Sequence, residues 1–397
     1  MKLLFIAFEN IESGSSQLER LEYQLTTLSK NNKISILCLN QYDNAYAVKQ
    51  KYHQITFYHH RIEYNGWNVL NTEEIIKYVK NIDEQNNFDL IIQMMEVWDL
   101  LRELSLSFYK TRKFVAIIHA MPFLGTPIKL KKDINIHCKE ILKKLDKKSM
   151  KYEYIINHYK EVAEVFNKMN VIAANNTVAY YFQHYLKNIE FWTFESFYPQ
   201  KKETSKTATN SFDFLYMARI EEGKGLEYLE DIFLHLSQKA ERKLRIGIAG
   251  RIDDHYSKEN MEKILALHLN NMEISYLGWV DKAKQQELFS SSKIFLYPSI
   301  YDTYSIVLRD AINFGMVAVT WKVPFTLINY RDCPSVKIIP YKDFRKFAEI
   351  AMCCLEDKER IALSAKEYIY RQPTEEDICN KDIAIYESIV KKNVYNK

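Results

Sequence analysis

The sequence predicts an α/β protein with two doubly wound domains facing across a cleft. At 397 residues, the chain is too long for one small core and suits two domains of ordinary size. Short apolar runs alternate with segments of helical periodicity, the rhythm of βαβ units with parallel strands. That rhythm runs twice. It breaks once, at residues 200–210 (QKKETSKTATN), a polar stretch without apolar periodicity that reads as a linker.

The first half opens with a buried strand, residues 2–8 (KLLFIAF). A polar loop carrying Gly14 and Ser15 follows, then a helix marked by Leu18, Leu21, Leu25 and Leu28. Strands are expected at 33–39, 55–58, 90–93, 114–119 and 171–174. Thr72 is expected to cap a helix reaching about residue 87, with Glu74 in its first turn. The strand at 114–119 ends on His119, and carboxyl ends of parallel strands are where ligands sit. A helix follows at 176–185, then an aromatic stretch at 191–197.

The second half repeats the pattern. Strands are expected at 212–217, 244–249, 274–277, 294–297, 317–320 and 336–339. Helices are expected on Leu226, Leu229, Ile232, Phe233 and Leu236, and at 261–269, 282–290, 342–355, 358–370 and 375–392. The domains are therefore 1–197 and 198–375, with 376–397 as a C-terminal helix that packs back on the first domain.

Composition narrows the partners. A net charge of +4 on this length implies no particular one. Six cysteines form no C-x-x-C pair and no metal spacing, as expected of reduced thiols in a cytoplasmic protein. Residues 1–7 lack the pattern of a signal peptide, and no run approaches 18 apolar residues. Residues 129–151 carry nine lysines against Asp133, Glu140 and Asp146, with Ile134, Ile141, Leu142 and Leu145 as an apolar stripe. Two readings stand: a solvated helix face, or a basic amphipathic helix on an anionic membrane surface. The lysines lack interleaved aromatics, which argues against nucleic acid.

The most informative stretch is 294–315, IFLYPSIYDTYSIVLRDAINFG. A buried strand leads through a polar loop into a helix starting near Ser305 and closed by Gly315. A helix start of this kind presents N–H groups to an anion. Asp302 lies before the helix and Asp310 eight residues on. The loop 219–225 (RIEEGKG) leaves the first strand of the same domain at its carboxyl end, bringing Arg219 and Lys224 to the same region. Cations and N–H groups suit a diphosphate, and a carboxylate suits a ribose diol. These residues together point to a sugar nucleotide.

Four blocks carry a family resemblance: 171–182 (VIAANNTVAYYF), 214–233 (FLYMARIEEGKGLEYLEDIF), 245–250 (RIGIAG) and 274–315. They resemble the retaining, nucleotide-sugar-dependent glycosyltransferases of family four, which have two Rossmann-like domains in the GT-B arrangement. The resemblance implies that Asp302 and Asp310 stand for the family's E-x7-E pair, at donor sugar and ribose. It implies that Arg219 and Lys224 hold the diphosphate and that His119 lies near the donor sugar. Gly14, Ser15, Thr303, Tyr304, Ser305, Ile306 and Val307 would line the donor. It further implies hexosyl or N-acetylhexosaminyl transfer, with a UDP-sugar favoured, no metal, and an acceptor hydroxyl on a bacterial glycan, glycolipid or glycoprotein. The chain departs from the pattern in its two aspartates, in Thr303 and Ser305 for loop glycines, in Ala218 before Arg219, and in Gly14-Ser15 for a glycine pair. These departures also fit a second reading, a degenerate GT-B subunit that binds acceptor or a partner transferase.

If residues 129–151 bind a membrane, the full chain should partition onto vesicles containing anionic lipid, and binding should weaken as salt rises. Equal binding to neutral vesicles, or none to either, would remove the peripheral-membrane reading.

Overall fold

The computed structural model describes residues 1–8, 16–40, 54–65, 68–94, 97–119, 163–185, 189–196, 212–220, 223–252, 255–300 and 302–395. Gly14, Ser15, the linker at 200–210 and the lysine-rich 129–151 lie outside these residues. The chain forms two compact units. The first ends at Phe197 and is completed by Pro373–Lys397; the second is Tyr198–Gln372.

The first unit holds β1 (Lys2–Ala7), β2 (Lys33–Asn40), β3 (Thr56–Arg61), β4 (Tyr64–Asn65), β5 (Asn68–Val69), β6 (Leu90–Gln93), β7 (Phe114–Ile118), β8 (Asn170–Ala173) and β9 (Trp192–Thr193). Seven of these form one sheet in the order β3-β2-β1-β6-β7-β8-β9, and β4 pairs separately with β5. Every pairing in the large sheet is parallel. β6, β7 and β8 are buried at every residue, which is why their sequences are mainly apolar and do not alternate, with Gln93 and Asn170 as buried polar residues at strand ends. Helices α1 (Ser16–Leu28), α2 (Thr72–Asn86), α3 (Trp98–Ser107) and α4 (Asn176–Tyr185) connect the strands.

The second unit holds β10 (Phe214–Met217), β11 (Leu244–Ala249), β12 (Met272–Gly278), β13 (Ile294–Tyr297), β14 (Val317–Trp321) and β15 (Val336–Ile339). Their order is β12-β11-β10-β13-β14-β15, again parallel throughout. Its helices are α5 (Leu229–Lys239), α6 (His255–Leu265), α7 (Lys282–Ser291), α8 (Ile306–Asn313), α9 (Pro324–Asn329), α10 (Phe344–Glu356) and α11 (Lys358–Tyr370). The strand order reverses between β1 and β6 in one sheet and between β10 and β13 in the other. A reversal opens a crevice at the strands' carboxyl ends, because the crossovers on either side leave in opposite directions.

Local details differ from expectation. Asn71, not Thr72, occupies the N-cap position of α2 and makes no side-chain cap bond. The Thr72 hydroxyl donates instead to the Val69 carbonyl at 3.1 Å. The helix expected at 261–269 is α6, which starts and ends earlier. The short α9 and the β4–β5 hairpin have too few residues to show periodicity. Among the described residues, no helix is long and apolar enough to cross a membrane.

The last helix, α12 (Glu375–Tyr395), belongs to the first unit. Tyr386 and Ile389 join a core cluster with Leu21, Leu25 and Leu28 of α1. A buried ion pair pins it. Arg20 Nε and Nη2 donate to the two Asp382 carboxylate oxygens at 2.7 Å each. Gln24 Nε2 donates to the same carboxylate at 2.6 Å, and the Tyr386 hydroxyl donates to Gln24 at 3.2 Å. Arg20 also donates to the Glu195 carbonyl at 2.9 Å and lies 4.5 Å over the Phe194 ring. A bidentate Arg–carboxylate pair with its remaining groups satisfied offsets its desolvation, whereas one partner alone is a stranded charge. Asp382→Ala should therefore cost about 3–5 kcal/mol in chemical denaturation. Replacing Arg20 and Asp382 together with apolar residues should cost clearly less, and equal costs would refute the stranded-charge account.

Candidate functional site

Two loops meet where the second sheet reverses. One follows β10 and the other follows β13. The Ile300 N–H donates to the Gly223 carbonyl at 2.9 Å, and the Ser299 hydroxyl reaches the same oxygen at 3.3 Å. Gly225 has φ +97°, and a Cβ there would run into the Pro298 carbonyl. A glycine is thus required twice at this position, by the left-handed backbone and by the close approach. The Tyr216 hydroxyl donates to the Lys224 carbonyl at 3.2 Å. Lys224 is held by its backbone, and its side chain is buried. Arg219, two residues past β10, is exposed.

Asp302 joins the loops. Its Oδ1 accepts the N–H groups of Thr303 at 2.9 Å, Ser305 at 3.0 Å and Tyr304 at 3.4 Å. Its Oδ2 accepts the Tyr297 hydroxyl at 2.7 Å and Lys224 Nζ at 3.4 Å. Burial pushes the carboxyl up, but the Lys224 charge and these hydrogen bonds outweigh it and hold Asp302 below the usual carboxylate range. Burial and the neighbouring Asp302 charge push the Tyr297 phenol well above its ordinary value, so it remains a donor.

Ser305 is the N-cap of α8 and has φ +62°. The left-handed region costs a non-glycine residue roughly 1–2 kcal/mol. Ser305, which stands where the family pattern has a loop glycine, therefore holds a left-handed conformation as a serine. The Ser305 hydroxyl accepts the Leu308 N–H at 3.3 Å, and its carbonyl accepts the Arg309 N–H at 3.1 Å. The sequence offers the whole loop to an anion, but Thr303, Tyr304 and Ser305 direct their N–H groups to Asp302. Among the described residues, the N–H groups of Ile306 and Val307 are the ones at this helix start with no protein partner.

Asp310 is buried in α8. Its Oδ1 accepts Arg309 Nη2 at 2.8 Å and Nε at 3.0 Å, and Arg309 is itself fully buried. The loop carbonyls also have partners. Asn329 Nδ2 donates to the Thr303 carbonyl at 3.1 Å. The Tyr330 hydroxyl lies 2.6 Å from the Tyr304 carbonyl and 3.0 Å from that of Ser305, and the Tyr304 and Tyr330 rings stack with centroids 6.0 Å apart. Asn329, Tyr330, Tyr297 and Arg309 are absent from the sequence-based site. Arg309 adjoins Asp310, and a buried-strand tyrosine such as Tyr297 needs a partner for its hydroxyl. Nothing in the residue order singles out Asn329 or Tyr330.

His119 follows β7 in the first unit and is half-buried. Burial lowers its pKa to about 3, the Arg20 charge lowers it too, and a hydrogen bond to the Met94 backbone opposes them. The imidazole is therefore neutral near pH 7 and offers hydrogen bonds, not a proton.

Residues 198–327 match the family model for glycosyl transferases group 1. The fold is GT-B. The Anabaena protein HepE, solved with UDP and glucose, superposes at a TM-score of 0.67 with 15% identity, over 98% of this chain and 100% of its own. Sucrose-phosphate synthase from Thermosynechococcus elongatus gives 0.69 at 11% identity, over 99% and 100%. A glycosyltransferase from Rickettsia africae gives 0.68 at 14% identity, over 98% of each chain. No curated protein matches by sequence. The resemblance to family-four glycosyltransferases in the C-terminal blocks agrees with both the matched segment and these GT-B structures.

His119 has a depressed pKa in the folded state, so the unfolded chain binds the extra proton between about pH 6.5 and pH 3. Its contribution is present above the unfolded pKa and is lost as pH falls through this window. The wild type should lose stability faster than His119→Gln between pH 7 and 4.5, by up to about 1.4 kcal/mol per pH unit. Parallel curves from thermal melts would disprove the neutral, protonation-averse imidazole.

Proposed function

We propose that this chain transfers a sugar from a nucleoside-diphosphate donor, a UDP-sugar by preference, to an acceptor hydroxyl with retention of configuration. One observation carries the reading: in the segment matching glycosyl transferases group 1, Lys224 and the helix start at Ile306 and Val307 converge at the reversal of the sheet. The UDP held by the Anabaena neighbour supports the choice of base.

The physical difficulty of such a transfer is charge on the departing diphosphate. Lys224 and Arg219 supply cations, and the Ile306 and Val307 N–H groups supply oriented dipoles, without calling on a metal. Lys224 Nζ also faces Asp302, which fixes its position before a donor arrives. Asp310, oriented by Arg309, accepts ribose hydroxyls. His119 supplies a neutral hydrogen-bonding imidazole to the donor sugar. No protein nucleophile is invoked, so the acceptor attacks from the face the diphosphate leaves. The acceptor is a glycan, a lipid-linked sugar or a protein, and the lysine-rich 129–151 suits a cytoplasmic protein working against an anionic membrane face.

A second reading draws on Asp302. The resemblance assigns its carboxylate to the donor sugar, yet five donors within its own site already occupy it. That favours a degenerate GT-B subunit that binds acceptor or a partner transferase.

Hydrolysis of a panel of UDP-, GDP- and ADP-sugars separates the two. The first reading expects turnover of at least one donor, with Arg219→Ala and Lys224→Ala each lowering kcat/KM by about 10²-fold. No turnover of any donor, together with no binding of UDP, GDP or ADP, supports the second reading. Wild-type rates in both variants would remove these two cations from the mechanism.

A further inference from the structure

The loop 302–305 is held from both sides. Its N–H groups go to Asp302, and its carbonyls meet Asn329 and Tyr330. Between them sits Ser305 with φ +62°, a conformation that a non-glycine residue keeps only where its surroundings over-determine it. Tyr330 is fully buried, its ring stacks on Tyr304, and its hydroxyl bridges the carbonyls on either side of the strained peptide.

We propose that Tyr330, assisted by Asn329, is a positioning residue that does what a glycine at position 305 would otherwise do. It holds the peptides of 303–305 so that the Ile306 and Val307 N–H groups keep the orientation needed for the donor diphosphate. This rests on the nucleotide-donor reading above. A glycine would adopt the left-handed backbone freely, whereas Ser305 is held in it by a neighbouring hydroxyl. Tyr330 touches the loop and not the reacting atoms, so its effect falls on donor binding more than on the chemical step.

The test uses the full chain with UDP, GDP and ADP as calorimetric probes and donor hydrolysis as the kinetic readout. Tyr330→Phe keeps the ring stack and removes the hydroxyl. It should raise donor KM and nucleotide Kd about tenfold, with a smaller change in kcat. Adding Ser305→Gly to Tyr330→Phe should return Kd to within about twofold of the wild type, because glycine needs no brace at positive φ. Asn329→Leu, which removes the Thr303 contact, should weaken binding about threefold and serves if Tyr330→Phe fails to fold. A Tyr330→Phe variant that melts earlier but binds nucleotide as the wild type does would overturn the proposal, leaving Tyr330 a packing residue. Failure of Ser305→Gly to rescue would also overturn it. A wild-type chain that binds none of the three probes overturns the donor reading itself, a result visible before any variant is made.

Discussion

The Asp302 carboxylate is the point on which the second unit's ligand-side loops depend. A buried anion is tolerated only when its oxygens are satisfied and its charge is paired. Here the partners come from three places: the end of β13 through Tyr297, the loop's own backbone, and Lys224 from the loop after β10. Satisfying one carboxylate therefore brings together two loops that are 78 residues apart in the chain. The short side chain matters. An aspartate folds back onto N–H groups one to three residues ahead of it, as in the turns that Asp and Asn form with their own backbone. A group that the family resemblance assigns to the sugar acts in this structure as the organiser of its own loop.

The first unit uses a buried charge in a similar way. Arg20 pairs with Asp382 and so ties the last helix to α1, and the same guanidinium disfavours a proton on His119. One cation thus serves chain closure and the protonation state of a candidate site residue. The two roles share a physical origin. Low polarizability around Arg20 strengthens its attraction to Asp382 and its repulsion of an imidazolium alike.

Much of the fold was legible because parallel strands buried on both faces read as apolar runs of four or five residues, such as Ile294–Tyr297 and Phe114–Ile118. The candidate site was legible where its residues follow those strands directly, as Arg219, Lys224 and Asp302 do. It was not legible where a contact spans distant segments. Asn329 and Tyr330 lie 26 and 25 residues from the carbonyls they meet, on and just after a six-residue helix too short for any periodic signal. Thr72 was misread for a local reason. A threonine at a helix start reads as a cap, yet here its hydroxyl turns back to the Val69 carbonyl.

From residue order alone follow two parallel α/β units, the cations after the first strand of the second, and an acid before a helix start. Periodicity and strand-end position are local properties, so they survive in one dimension. Folding decided which of these groups face a ligand and which face each other. It directed the loop N–H groups to Asp302, set Arg309 on Asp310, lowered the His119 pKa to about 3, and kept Ser305 in a glycine's conformation. Those outcomes depend on burial and, for His119 and Ser305, on partners from distant segments, and neither exists until the chain has folded.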